Sequence, residues 1–120
     1  EVLKDVKVRI PSSIGWGQMI TKSCEVSAGL WNEEFLSWGA EDCEFYYRIN
    51  LFGFKVGRVI DDIYHFEHGR TFNSHYHNPK FQDNDRLWNW IRTQDKESLT
   101  QYYGKLDYIK RRGKELNASL

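Results

Sequence analysis

Two cysteines, two prolines and no surplus of either charge remove several functional classes at the outset. Cys24 and Cys43 stand alone, without metal-ligand spacing and without partners enough for a disulfide scaffold, so a reducing compartment is expected and the cytoplasm is the predicted location. No apolar stretch in this sequence is long enough to span a bilayer, and no signal peptide is expected within it. Lys plus Arg equals Asp plus Glu at 17 each, which gives no general electrostatic case for nucleic acid or an anionic membrane as partner. The basic run Lys110-Arg111-Arg112, with Lys114 beyond it, reads as favourable charge at a helix C-terminus and a solvated face. Internal repeats, low-complexity tracts and any nucleotide-binding signature are also missing. The Asn-Ala-Ser triplet at Asn117 lies almost at the end and carries little. Because the chain opens on Glu1, it is expected to be a piece of a longer protein.

What is abundant is aromatic: 5 Trp, 7 Tyr and 7 Phe in 120 residues, enough for a single-domain core with a surplus that hints at stacking on sugars or bases. The pattern predicts a small α+β unit with few short strands. Residues 6–10 alternate as a strand stopped by Pro11, and Gly15-Trp16-Gly17 reads as a loop. Residues 23–28 predict a short helix ended by Gly29, and Asn32 caps a single turn. The strongest helix begins at Glu41 or Asp42 and runs to Phe52, with Phe45, Ile49 and Phe52 on one stripe and Gly53 after it. Residues 54–60 and 63–66 predict strands separated by Asp61-Asp62. Residues 69–84 read as a long loop. A helix over 86–91 follows, with Asp85 as the preferred cap, although Asp83 and Asn84 would serve equally well by residue type. Residues 95–110 predict a second long helix with Leu99, Tyr102, Tyr103, Leu106 and Ile109 on its apolar face.

The chemistry concentrates in Trp38-Gly39-Ala40-Glu41-Asp42-Cys43-Glu44-Phe45. An indole can stack on the apolar face of a pyranose, and Gly39 lets the backbone come close. A carboxylate within reach can accept the proton of an attacking hydroxyl, which makes Asp42 the candidate base and Glu41 the candidate acceptor-orienting or structural acid. A plainer reading has both acids stabilising the helix start while Trp38 fills core. Glu44 reads as structural or solvent-facing, and Cys43 as helical packing rather than a nucleophile.

His65 and His68, three apart, would face opposite sides of an ideal strand, so shared metal ligation requires a bend near Phe66. With Asp61 and Asp62 nearby, such a pair would suit a Mn- or Zn-like ion; a surface or core role is the ordinary alternative. His75 and His77 rank below them, open between a role toward substrate phosphate and none. Arg70 could clamp a phosphate or simply be solvated.

Over residues 14–78 the chain resembles the C-terminal catalytic segment of the β-1,4-galactosyltransferase group and related bacterial family 2, chondroitin-polymerase-like glycosyltransferases. The centre of the likeness is Gly29-Leu30-Trp31-Asn32-Glu33-Glu34-Phe35-Leu36-Ser37-Trp38-Gly39-Ala40-Glu41-Asp42-Cys43-Glu44-Phe45, continuing to Gly53-Phe54-Lys55-Val56. The resemblance implies the acceptor-side C-terminal part of a GT-A fold, residues 1–120 as one domain, with the nucleotide-binding half of the same polypeptide upstream. It implies inverting transfer of galactose or an N-acetylhexosamine from a nucleotide-sugar donor to a glycan acceptor. In that scheme Asp42 is the base, Glu41, Trp38 and Gly39 line the acceptor, and Trp16 and Gly17 approach the donor. His68 and His65 would hold Mn²⁺ or another divalent cation; the animal enzymes have Met where His65 stands. A fragment without its donor half is expected to be inactive alone.

Two rivals remain. A non-catalytic carbohydrate-binding or scaffolding module would keep the aromatic surface, and its binding would survive removal of metal and loss of Asp42. A metallohydrolase is disfavoured by the lack of a compact motif such as His-Glu-X-X-His.

Overall fold

The computed structural model describes residues 18–29, 31–58, 69 and 71–110. Their regular structure is helical throughout: α1 (Lys22–Ala28), α2 (Glu41–Leu51), a 3-10 turn (Phe72–Ser74), α3 (Phe81–Ile91) and α4 (Lys96–Lys105). Residues 107–110 form a further helical turn. The expected α+β architecture is therefore corrected, because no strand occurs among the described residues. Residues 54–58, predicted to open a strand, are irregular and largely exposed. A strand needs a neighbour to satisfy its backbone N–H and C=O groups, and no described segment pairs with this one. The other predicted strands, at 6–10 and 63–66, lie outside the described residues.

The helix starts and stops follow local chemistry where the right residue is available. The Thr21 hydroxyl accepts from the Cys24 N–H at 3.3 Å, and Gly29 ends α1 in the left-handed region at φ 92°. Asp95 accepts from the Ser98 N–H at 2.8 Å and opens α4. That bond to the charged form holds the Asp95 carboxyl below its ordinary value. Leu106 leaves helical geometry at ψ 114°, dividing the long C-terminal helix predicted over 95–110. Helix α3 starts at Phe81, so the long loop ends earlier than predicted. Asp83, Asn84 and Asp85 all lie inside the helix and none of them caps it.

Two apolar clusters flank α2. Phe35, Ile91, Leu99 and Tyr103 form one, with Leu51, Phe52, Leu87 and Trp88 packed against it. Ala28, Phe45 and Ile49 form the other, where Trp31 stacks on Phe45 at 4.5 Å. Each fully buried Phe, Leu or Ile contributes about 1.5–3 kcal/mol through removal of apolar surface from water. Tyr47 fixes α2 against the end of α3, edge-on to Trp88 at 5.8 Å, with its hydroxyl donating to the Arg92 and Gln94 carbonyls.

Between the clusters lies a buried ionic group that the sequence reading did not locate. Glu44 and Arg48, both 0% exposed, pair through Nε–Oε1 at 2.7 Å and Nη2–Oε2 at 3.2 Å. The Tyr103 hydroxyl donates to the same carboxylate, and Arg48 Nη1 donates to the Ala28 carbonyl at the end of α1. The guanidinium also stacks over the rings of Phe45 at 5.0 Å and Tyr103 at 4.2 Å. Glu44 thus takes the structural of its two expected roles. Its signal in the sequence was the four-residue spacing to Arg48 beside the Phe45–Ile49 stripe.

Candidate functional site

The loop between Phe35 and α2 carries the acidic motif, and its backbone is unusual. Ser37, Gly39 and Ala40 have φ of 66°, 138° and 64°, three left-handed residues within four positions. Non-glycine residues adopt such angles only when their surroundings impose them. Two buried asparagines do so here. Asn84 of α3 accepts the Leu36 N–H at 3.1 Å and donates to the Leu36 carbonyl at 2.9 Å and the Trp38 carbonyl at 3.3 Å. Asn78 donates to the Trp38 and His75 carbonyls, each at 2.9 Å. Gly39 is necessary on two counts: its φ, and a would-be Cβ only 3.3 Å from Phe81 Cδ2.

Held this way, Trp38 is 44% exposed and stacks on Phe81 at 5.6 Å with ring planes 14° apart. It does not fill core, contrary to the plainer reading of this residue. The two acids do serve the helix start: Glu41 Oε2 accepts the Gly39 N–H at 2.9 Å, and Asp42 Oδ1 accepts the Cys43 N–H at 2.7 Å. Both side chains are partly exposed, and among the described residues the second oxygen of each makes no hydrogen bond. Burial pushes the Cys43 thiol up, and the neighbouring Asp42 charge adds to the effect, which disfavours the thiolate needed for a nucleophile.

Trp38, Gly39, Glu41 and Asp42 are therefore brought together on one loop and the first turn of α2. Trp16, Gly17, Arg70, His65 and His68 lie outside the described residues. His75 and His77 border a shallow cleft with Thr71 and Phe72. Sequence reasoning missed Asn78 and Asn84, whose role is to shape the loop; only their positions in the folded chain reveal it.

The family comparison bears on this segment. Residues 5–69, just over half of the chain, match the family described as the N-terminal domain of galactosyltransferase. The chain belongs to that family. No match was found among curated proteins or among solved structures. The match corrects the assignment to a C-terminal catalytic segment, since the matching family is described as an N-terminal domain.

The activity inferred from the resemblance is corrected with it. Among the described residues there is no sheet of the GT-A kind and no group of three or more His, Cys, Asp or Glu suited to a metal ion. A metal-dependent inverting glycosyltransferase needs both: strands to build the donor platform, and ligands to hold a cation against the leaving diphosphate. Mn²⁺ as cofactor, the nucleotide-sugar donor, transfer to a glycan acceptor and an upstream GT-A half accordingly have no support. No helix among the described residues is long and apolar enough to cross a membrane.

Proposed function

We propose that the loop over residues 37–42 is a non-catalytic carbohydrate-binding surface within the galactosyltransferase N-terminal-domain family. The observation that carries this reading is the Trp38 indole, half-exposed, backed by the Phe81 ring and fixed through its own carbonyl by Asn78 and Asn84. A sugar ring presents an apolar face and a rim of hydroxyls. Trp38 meets the first, and the second carboxylate oxygens of the partly exposed Glu41 and Asp42 are acceptors for the other. Holding the indole in place before the ligand arrives lowers the ordering entropy that binding would otherwise cost.

The test is a printed array of galactose- and N-acetylhexosamine-terminated glycans of one to six units, probed with the protein, its Trp38→Ala form and its Asp42→Asn form. Binding by the parent should drop at least tenfold in Trp38→Ala. It should persist in Asp42→Asn, which keeps an accepting oxygen, and should persist in the presence of EDTA. Full binding by Trp38→Ala, or abolition by EDTA, would defeat the proposal.

A further inference from the structure

The family match ends at residue 69, yet the groups that hold Trp38 lie beyond it. Asn78 stands between the two. Its side-chain amide donates to the Trp38 carbonyl at 2.9 Å, its Oδ1 accepts the Lys80 N–H at 2.8 Å, and its carbonyl accepts the Phe81 N–H at 3.1 Å. One buried residue thus fixes both the Trp38 backbone and the entry into α3. Asn84, in the first turn of α3, returns to the Trp38 carbonyl at 3.3 Å.

These bonds end at the backbone. The indole itself still turns about two side-chain torsions, and a half-exposed ring has little around it to choose among rotamers. Phe81 is the group that does so, stacked on the indole with ring centroids 5.6 Å apart and planes 14° apart. The same ring closes the space beside Gly39, where a Cβ would lie 3.3 Å from Phe81 Cδ2. Phe81 is set in turn by its bond to Asn78 and by the buried Asn84 and Ile91 further along α3. An aromatic pair of this kind biases a rotamer population by about two- to tenfold.

Resting on the carbohydrate-binding reading above, we propose that Phe81 is the positioning residue of the Trp38 surface, holding the indole in the single rotamer that receives a sugar. The site is then composite. The family-matching segment supplies the groups that touch the ligand, and residues 78–84, outside it, supply the orientation of the aromatic one. A protein that populates the receptive rotamer only in part binds more weakly in proportion to that fraction. Phe81 therefore acts on affinity without meeting the sugar.

Nuclear magnetic resonance tests this. The three-bond Hα–Hβ couplings of Trp38 report whether its χ1 angle keeps one rotamer or averages over several. They are measured in the parent, in Phe81→Leu, which keeps apolar bulk without a flat ring, and in Phe81→Tyr, which restores the ring. The same three proteins are titrated calorimetrically with a galactose- or N-acetylhexosamine-terminated glycan that the array retains. The parent should show single-rotamer couplings. Phe81→Leu should show averaged ones with glycan affinity lowered about three- to tenfold, and Phe81→Tyr should recover both. Averaged couplings in the parent would overturn the proposal, as would single-rotamer couplings or full affinity in Phe81→Leu. Unfolding of Phe81→Leu, seen in its amide spectrum, would overturn it as well by making the ring structural. The expected couplings in all three proteins, without glycan binding by the parent, would instead defeat the carbohydrate reading alone and leave Phe81 holding the indole.

Discussion

At the scale of single residues, the loop that presents Trp38 depends on side-chain amides more than on its own sequence. Asn84 is almost completely buried and exchanges hydrogen bonds with both polar groups of Leu36, then reaches the Trp38 carbonyl. Removing the amide leaves these backbone groups without their partner in a space largely closed to water. Asn84→Ala should therefore lower unfolding stability by about 2–3 kcal/mol, read by urea denaturation. It should also weaken glycan binding, because the left-handed angles of Ser37 and Ala40 lose part of what holds them. From the sequence, Asn84 was only an alternative to Asp85 as a cap, since Asp and Asn suit a helix start by residue type alone. The chain uses this amide at long range, 48 positions from Leu36, and no local pattern announces that. Trp38 and Gly39 were legible for the opposite reason: an aromatic next to a glycine before a run of acids is a local signal.

At the scale of elements, helix ends marked by residue type were read correctly, as was α2 from its apolar stripe and acidic first turn, whereas the start of α3 was not. Gly29 and Asp95 marked the end of α1 and the start of α4 by residue type, and the structure uses both as such. Helix α3 has no capping side chain at Lys80, so its first turn was taken for loop. Helix α4 contains a glycine, Gly104, with room for a side chain. A Cβ at Gly104 would meet nothing within 4 Å, and its backbone is not left-handed. Gly104→Ala should accordingly raise stability by about 0.5–1 kcal/mol through helix propensity and a less flexible unfolded chain. Thermal unfolding would show it as an upward shift of the midpoint; no shift would mean the helix is already frayed at this turn. The predicted strand beginning at Phe54 illustrates the converse problem. Alternation marks a segment able to pair, but pairing is a property of two segments.

For the molecule as a whole, tyrosine hydroxyls join the C-terminal helix to the rest. Tyr103 donates to buried Glu44, Tyr108 donates to Asn32 Oδ1 at 2.9 Å while accepting the Glu33 N–H at 2.8 Å, and Asn32 donates to Tyr102 at 3.3 Å. Burial, reinforced by the Glu44 charge, pushes the Tyr103 hydroxyl up, and burial pushes Tyr108 up to about 12. A hydroxyl whose folded pKa exceeds the unfolded value of 10.0 keeps its proton more firmly in the native state. Its contribution to stability is complete below pH 10.0 and is lost as pH rises through the folded value. Stability should fall from about pH 10 upward. Tyr108→Phe should show a shallower decline over the same window, measured by urea unfolding at successive pH values. An identical slope would exclude Tyr108 from the linkage.

The sequence by itself determined what depends on near neighbours: α1 and α2 with their glycine ends, the capped start of α4, the apolar face from Leu99 to Ile109, and the Trp38–Asp42 segment as the chemically distinctive stretch. Spacing and residue type suffice there, because a helix satisfies its own backbone and a cap lies within three residues of what it caps. Only the tertiary structure decided that Glu44 and Arg48 are fully buried, that Asn78 and Asn84 sculpt the loop, and that the described residues form helices without a sheet. Each of those outcomes depends on groups distant in the chain meeting where water is excluded. There, an unpaired charge or amide is too costly to leave alone, and the partner that relieves it is chosen by the fold.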